Sequence, residues 1–380
     1  MSARNQTVTD IEIICVDDGS TDDTLSILQA QAAEDPRIRV FHQRNAGEGP
    51  AREAGRRQAT GDWLAFLDAD DFFEPTAVEE AVACGEREHA DVVIFRTRLF
   101  NNVTGELSEC DWAFRHNWID GMVFSPGDNP SRLLNSFQNW ACVKMFRRSF
   151  VDKQGLFFQP VHRTADLLFT CRALTEANRI ALLDRPLYRY RVNNATSAIR
   201  TSDSYPLDFY SAFLALRKAL EQHGTWELYH DSFVAWAAEG IAVNLQLTRS
   251  FSGFCTIADE IRNRGLRLLD ITTPVNRPQT EAPLGERVCW AIANLSNAEL
   301  AYELFSIEKE HSASSDNHSS QLRLDCNTRN AVIVELDERN RVLEERASAL
   351  WNSMSFKIGR GITAPIRAVV AAVRKENDHD

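Results

Sequence analysis

The chain has 380 residues, with 54 Asp and Glu against 42 Lys and Arg, which gives a formal net charge of −12 at pH 7. This acidic balance excludes nonspecific nucleic-acid binding as the role of the main body. The length predicts one α/β domain of about 200 residues with further elements attached. The 8 cysteines are scattered without a Cys-x-x-Cys pair, so reduced thiols in a cytosol are expected rather than a zinc site or disulfides. The sequence contains no run of about 18 apolar residues, so no membrane span is predicted.

The first predicted strand, residues 11–16, is apolar and β-branched, which is typical of a strand buried on both faces of a parallel sheet. Asp17, Asp18 and Gly19 follow it as turn residues, and a helix is predicted over 21–33. Ligands of open α/β sheets bind at the carboxyl ends of strands. The two acids are therefore candidate binding residues.

A second predicted strand, residues 63–67, also ends in acids. Asp68 and Asp70 stand at alternate positions, with Asp71 beside them. Carboxylate oxygens suit Mg²⁺ or Mn²⁺, and Mg²⁺ is usually held by one or two protein carboxylates together with substrate phosphates. The sequence therefore predicts a divalent metal site at this strand end.

The remaining pattern alternates strands and helices and predicts a mostly parallel sheet. Strands are predicted at 38–41, 91–95 and 179–183, helices at 49–59 and 166–177, and an irregular aromatic stretch at 150–158. Further on, helical apolar spacing over 209–223 and 228–247 predicts a helical subdomain. The predicted organisation is an α/β domain over 1–203, a helical subdomain over 204–310, a polar Ser-rich linker over 311–320 and a helical tail over 321–380.

The tail carries two patterns, each with two interpretations. Apolar residues from Ile333 to Met354 alternate spacings of three and four, with Asn340 in the seam, which indicates either a homodimer seam or a helix packed on its own body. From Trp351 to Lys375 the charge is basic and one helical face is apolar. This segment either contacts an anionic membrane surface or is a basic end that is exposed to solvent.

Three interpretations of the acidic strand ends compete on local pattern alone. Asp is an ordinary turn former after any strand. A response-regulator receiver would supply the pair Asp17 and Asp18, but it needs a lone phosphorylatable Asp and a Lys at later strand ends, which cannot be placed. A haloacid-dehalogenase-like phosphatase would supply Asp68 and Asp70, but its nucleophile strand normally opens the domain, and Thr or Val follows its second Asp.

Six motifs in a fixed order favour a different family. They are Val16-Asp-Asp-Gly-Ser-Thr21, Asn45-Ala-Gly47 with Ala51-Arg52, Ala59-Thr-Gly61 leading into Leu67-Asp-Ala-Asp-Asp71, Trp140 with Lys144-Met-Phe-Arg147, Ala165-Asp166 with Phe169, and Pro186-Leu-Tyr-Arg-Tyr-Arg191. Over about residues 4 to 200, the chain thereby resembles the family 2 nucleotide-diphospho-sugar glycosyltransferases of the GT-A type. The resemblance implies a Rossmann-like GT-A sheet and a nucleoside-diphosphate sugar donor, most often a uridine diphosphate (UDP) sugar.

The resemblance also implies roles on the donor side. Asp18 would contact the base, with Asp17 supporting it, and Arg52 would lie near the diphosphate. Asp70 would bind the Mn²⁺ or Mg²⁺ that bridges the diphosphate oxygens. Asp68 would contact the donor sugar or a metal-bound water.

On the acceptor side, the resemblance implies Asp166 as the base that takes the proton from the acceptor hydroxyl. Local sequence alone also fits a helix-capping role for Asp166. Trp140, Lys144 and Arg191 are expected on the acceptor or diphosphate side, although Trp140 equally fits the core and Lys144 an ordinary surface charge.

Three departures from the family pattern bear on these expectations. Ala165 stands where a Glu usually precedes the base, and Glu53 stands where an Asn usually follows the Arg. The usual first strand, with its Pro-x-Tyr-Asn turn and helix, has no counterpart, because residues 4–7 already resemble the end of that helix. We expect that the natural product begins upstream or that another chain supplies this strand.

The sequence thus predicts a cytoplasmic, metal-dependent inverting glycosyltransferase, and a peripheral position on the inner face of the cell membrane is one of the two interpretations of its basic tail. It would act on a polysaccharide or glycolipid acceptor in cell-surface glycan assembly. The alternative is a non-catalytic glycosyltransferase-like protein that binds a partner through its helical subdomain and tail.

Overall fold

The computed structural model describes residues 1–192, 203–248 and 250–314. The strands are β1 (Ile13–Asp17), β2 (Ile38–His42), β3 (Trp63–Ala65), β4 (Phe72–Phe73), β5 (Val92–Asn101), β6 (Leu107–Glu109), β7 (Val123–Phe124), β8 (Lys144–Arg147) and β9 (Ile180–Val192). The helices are α1 (Thr24–Glu34), α2 (Glu48–Gln58), α3 (Ala77–Glu88), α4 (Leu133–Ser136), α5 (Arg148–Gln154), α6 (Asp166–Glu176), α7 (Asp208–Gln222), α8 (Trp226–Leu247), α9 (Phe251–Glu260), α10 (Leu266–Leu268), α11 (Leu284–Asn294) and α12 (Asn297–Ser314).

The strands form two sheets. β1 and β2 pair in parallel, and the larger sheet has the order β3-β8-β5-β9-β4, with β6 added on β5 and β7 on β9. In the larger sheet β5 and β9 are parallel, whereas β8 runs antiparallel to both β3 and β5. An antiparallel neighbour needs no crossover helix, and the chain between β6 and β8 contains only 3₁₀ turns, the two-residue strand β7 and the four-residue helix α4. The predicted α/β class is confirmed, with a mixed sheet in place of a mostly parallel one.

The first strand is less buried than the sequence predicts. Only Asp17 of β1 is buried, and the apolar residues before it are half-buried. α2 covers one side of the strand, since a Cβ on Gly55 would lie 3.4 Å from the side chain of Val16. α1 buries none of its own residues. The prediction of burial on both faces is therefore wrong for β1, because one close helix and one partner strand do not enclose it.

The helical region and the sheet share one hydrophobic core. Buried side chains from Leu64 in β3 to Ile307 in α12 form a continuous cluster. A buried hydrogen bond joins the two regions, because the Leu134 N–H donates to the Ser232 hydroxyl at 2.8 Å. The predicted helical segments are confirmed as α7 and α8, and they pack into the core of the preceding domain.

Several predicted boundaries change. β3 ends at Ala65 rather than at residue 67, and β5 and β9 continue to Asn101 and Val192. The stretch 150–158 is not wholly irregular, because α5 occupies its first half and ends at Gly155, whose φ of 58° suits glycine. α12 continues to Ser314 and so enters the predicted linker at 311–320.

The predictions for the tail lie outside the described residues. They are the homodimer seam from Ile333 to Met354 and the membrane-surface segment from Trp351 to Lys375. Within the described ranges, none of the helices combines the length and the apolar character that crossing a membrane requires.

Candidate active site

The acids at the end of β1 organise the loop that precedes α2. Asp17 accepts the Ser20 N–H at 3.2 Å and lies 2.6 Å from the His42 Nδ1, and these hydrogen bonds hold the pKa of Asp17 below its ordinary value. Asp18 accepts the N–H groups of Ala46 at 3.0 Å and Gly47 at 2.9 Å. The predicted base-binding acid is thus joined to the backbone from which α2 starts.

α2 lies tightly against the segment that leads to Asp166. A Cβ on Gly49 would lie 1.9 Å from the carbonyl oxygen of Gln159, so a larger residue cannot be accommodated without a shift. Gly47, just before the helix, has a φ of 95°, in the region that favours glycine. This close approach lets Arg52, one turn along α2, reach Asp166.

Arg52 is the centre of a group of charges that we name the Arg52 cluster, made of Arg52, Glu48, Asp68 and Asp166. The guanidinium Nη1 lies 3.0 Å from Asp166 Oδ1 and 3.3 Å from Glu48 Oε2. Its Nη2 lies 2.6 Å from Asp68 Oδ1. Burial disfavours the charged guanidinium, but the surrounding carboxylates outweigh it and raise the pKa of Arg52. Three residues predicted for the site therefore meet, although they belong to different elements.

Asp166 is the first residue of α6 and is 8% exposed. Its Oδ2 accepts the Ala141 N–H at 2.9 Å, while its Oδ1 faces Arg52. Burial raises the pKa of Asp166 to about 6, against the opposing effect of Arg52. Such a carboxylate is ionised at neutral pH and basic enough to accept a proton, as a general base must be.

Glu48 is a member of the cluster that the motifs did not reveal. Besides its pairing with Arg52, its Oε1 accepts the backbone N–H of Ala165 at 3.0 Å. A carboxylate therefore lies beside residue 165 although that residue is alanine. The i,i+4 spacing of Glu48 and Arg52 on one helix is the sequence signal that points to this pair.

The turn that carries Asp68 and Asp70 is tied to β9 through Asp71. The carboxylate of Asp71 is buried and accepts the Tyr188 hydroxyl and the Arg191 N–H, both at 2.7 Å. Burial raises the pKa of Asp71 to about 7. Asp71 thus holds in place the turn that carries Asp68 and Asp70.

Arg191 supports the same turn from β9. Its Nε donates to the Asp70 carbonyl, and its Nη1 donates to Asn102 Oδ1 at 2.8 Å. The guanidinium also lies 4.6 Å from the centre of the Phe72 ring. These contacts give Arg191 a positioning role, and its predicted contact with a ligand stays a prediction.

Asp70 is the candidate metal ligand, and Asp68 is the candidate contact to the donor sugar or to a metal-bound water. Across the part of the chain that the structure describes, no group of three His, Cys, Asp or Glu side chains could hold a metal ion by itself. Mg²⁺ usually takes one or two protein carboxylates and completes its shell with water and substrate phosphates. The carboxylates of this turn therefore fit a metal ion that binds together with a diphosphate. One oxygen of Asp68 is already paired with Arg52.

Lys144 is fully buried and does not face a ligand. Its ammonium group donates to the carbonyls of Gln138 and Trp140, the latter at 2.9 Å, and burial lowers the pKa of Lys144 to about 8. The prediction that Lys144 lies on the acceptor or diphosphate side is wrong, because its buried ammonium group binds the backbone of the loop from Gln138 to Trp140 instead. Trp140, half-buried in that loop, precedes Ala141, which donates to Asp166.

The order of these residues along the chain matches a known family. Residues 1–155 fit the sequence profile of glycosyl transferase family 2. The similarity to that family therefore lies in this part of the chain. The glycosyltransferase profile includes Asp18, Arg52, Asp68 and Asp70 and ends before Asp166, which joins the site through the Arg52 cluster.

Named relatives agree with a glycosyltransferase. The chain is 29% identical to the putative glycosyltransferase EpsH of Bacillus subtilis over 281 residues, 71% of this chain and 78% of EpsH. It is 53% identical to chondroitin synthase of Escherichia coli over 78 residues, 20% of this chain and 11% of that protein. The crystal structure of S. aureus TarS in complex with UDP-GlcNAc covers 80% of this chain and 78% of its own, with a TM-score of 0.46 and 20% identity. A likeness at that level carries no conclusion about the site.

Proposed function

We propose that the chain is a metal-dependent inverting glycosyltransferase that moves a sugar from a UDP-sugar to a hydroxyl group of a polysaccharide or glycolipid. The Arg52 cluster carries this proposal, because one guanidinium holds the candidate base Asp166 and the candidate donor contact Asp68 in the same site. Transfer needs these two functions side by side, since the acceptor hydroxyl attacks the carbon from which the diphosphate departs.

Asp166 is the proposed general base. It takes the proton of the acceptor hydroxyl while the hydroxyl oxygen forms a bond to the anomeric carbon. The bond from that carbon to the diphosphate breaks on the opposite face, so the anomeric configuration inverts. Arg52 favours the ionised form of Asp166, and the Ala141 N–H orients its second oxygen.

The donor side is proposed to extend from β1 to the acidic turn after β3. Asp18, supported by Asp17, contacts the uracil base, and Arg52 lies near the diphosphate. Asp70 would hold Mg²⁺ or Mn²⁺, which supplies positive charge to the diphosphate leaving group when bound, and Asp68 would contact the donor sugar or a metal-bound water. The bonds from Asp18 to the loop before α2 support this arrangement, because they couple the base site to the helix that carries Arg52.

The acceptor class rests on the relatives. One of them is named a chondroitin synthase, which supports a glycan as the acceptor and cell-surface glycan assembly as the setting. The acceptor would approach Asp166 from the side of the loop that carries Trp140, since the next residue of that loop binds the base.

The test is metal-dependent release of UDP from a panel of UDP-sugars, with and without glycan acceptors. Asp166→Asn is expected to abolish transfer and to leave UDP affinity nearly unchanged, because a lost base affects the transition state more than the ground state. Asp152→Asn is the matched control, since Asp152 pairs with Arg56 at 3.2 Å outside the Arg52 cluster. An equal loss of UDP affinity in Asp166→Asn contradicts the assignment. If the unaltered chain turns over no donor, the non-catalytic alternative is favoured.

A further inference from the structure

Three aromatic side chains form a corner that we name the Trp112 corner, made of Trp112, Trp140 and Tyr190. The rings of Trp140 and Tyr190 stack with centroids 4.9 Å apart and planes 18° apart. Trp112 stands nearly perpendicular to Trp140, with centroids 5.5 Å apart and planes at 86°. Trp112 is 36% exposed, whereas Trp140 and Tyr190 are half-buried, so the exposed indole of Trp112 lies beside a half-buried aromatic pair.

The corner adjoins both halves of the candidate site. Trp140 precedes Ala141, whose N–H binds the base Asp166. Tyr190 precedes Arg191, whose N–H binds Asp71 in the acidic turn. Burial raises the pKa of Tyr190, and the nearby carboxylate of Asp71 adds to the effect. A ligand lying on this corner would therefore have Asp166 and the donor site close by.

The turn that carries Trp112 is joined to neighbouring elements by an ion pair and a hydrogen bond. Trp112 lies in the 3₁₀ turn Asp111–Ala113, whose Asp111 pairs with Arg96 at 2.6 Å. The carbonyl of Ala113 accepts the Gln138 N–H at 3.2 Å, which joins this turn to the loop of Trp140. A turn that is already ordered loses less conformational freedom when its indole binds a ligand, which favours affinity.

We propose that the Trp112 corner is an acceptor subsite, on which a pyranose ring of the glycan packs its C–H face against the Trp112 indole. A pyranose presents apolar C–H groups on one face and hydroxyls at its rim. The C–H groups gain from leaving water and from the negative face of an aromatic ring, while the rim leaves a hydroxyl for Asp166. This inference rests on the proposed function and names the ring-binding part of its acceptor site.

A second tryptophan provides a matched control. Trp118 has 38% exposure and lies in the neighbouring 3₁₀ turn His116–Trp118. Its ring lies beneath the guanidinium groups of Arg115, at 4.8 Å, and Arg132, at 5.8 Å. Two exposed tryptophans of one segment thus differ in their surroundings, and only Trp112 belongs to the corner.

The experiment compares Trp112→Ala, Trp112→Phe and Trp118→Ala in the full chain. Trp112→Ala is expected to raise the KM for a glycan acceptor about tenfold, a loss of about 1.4 kcal/mol, with UDP affinity and acceptor-free donor hydrolysis unchanged. Trp112→Phe should recover most of the loss, and Trp118→Ala should stay within about twofold of the unaltered protein. An unchanged acceptor KM in Trp112→Ala, or an equal rise in Trp118→Ala, overturns the proposal.

A binding measurement separates failure of the subsite from failure of the proposed function. Chitotetraose and a chondroitin tetrasaccharide are added to each variant, and saturation-transfer NMR reads which sugar protons contact protein. Loss of the signal in Trp112→Ala, with retention in Trp118→Ala, supports the subsite even if no donor is turned over. Absence of binding to the unaltered chain, or equal binding to Trp112→Ala, overturns it.

Discussion

Replacement of Arg52 by Gln removes the positive charge that faces Asp166 and is expected to shift the acid limb of the pH profile upward. The pKa of Asp166 is about 6 in the intact cluster, so about nine-tenths of this carboxylate is ionised at pH 7. Without the guanidinium, only the hydrogen bond from the Ala141 N–H opposes the rise in the pKa of Asp166 that burial causes. The carboxylates of Glu48 and Asp68 act in the same direction, because like charges disfavour ionisation.

The size of the effect follows from the geometry of the pair. At 3.0 Å between Arg52 Nη1 and Asp166 Oδ1, the Coulomb energy is about 5.5 kcal/mol for an effective dielectric constant of about 20, an upper limit of about four pKa units. Neighbouring cations typically lower a carboxyl pKa by about 1–3 units. A rise of about two units, to about 8, would leave about a tenth of Asp166 ionised at pH 7. The kcat/KM at pH 7 should then fall about tenfold.

The assay is kcat/KM for transfer, measured from about pH 5 to about pH 9, where the acid limb reports the base of the free enzyme. The midpoint should lie near pH 6 for the unaltered chain and near pH 8 for Arg52→Gln, with much of the activity recovered at high pH. Arg56→Gln is the control, because Arg56 lies one turn further along α2 and pairs with Glu53 at 2.9 Å. Its midpoint should not move.

One result would refute this reasoning. If Arg52→Gln lowers the whole profile and its midpoint stays near pH 6, Arg52 does not set the ionisation of Asp166. Melting temperatures of both variants check that a changed profile does not reflect unfolding, since removing one partner of a buried ion pair destabilises a protein.

Two further predictions test the donor site and the packing of α2. Asp70→Ala is expected to abolish the gain in UDP affinity that Mn²⁺ confers, and calorimetry that finds no such gain in the unaltered chain would contradict the metal site itself. Gly49→Ala should lower the free energy of unfolding by about 1–3 kcal/mol, because the new methyl group meets the Gln159 carbonyl. Gly127→Ala, where a Cβ meets nothing within 4 Å, should have little effect, and equal melting temperatures for both variants would argue against the tight contact.

The sequence by itself determined the acidic strand ends and the helix that begins at Asp166. An apolar run followed by Asp and Gly specifies a strand and its turn within a few neighbouring residues. β1, which ends at Asp17, and β3, which ends at Ala65 shortly before Asp68, therefore lie close to the predicted positions. The order of the motifs also determined the family, which the profile of residues 1–155 confirms.

Only the tertiary structure decided which of these groups meet and which are buried. Arg52 reaches Asp68 and Asp166 because α2 lies directly on the segment before α6, a contact between residues far apart in the chain. The ammonium group of Lys144 is buried beneath a loop, and the indole of Trp112 lies beside Trp140. The sequence around each of these residues looks the same as that around an ordinary surface residue. Burial and ion pairing depend on distances between separate elements, and the spacing of neighbouring residues does not encode those distances.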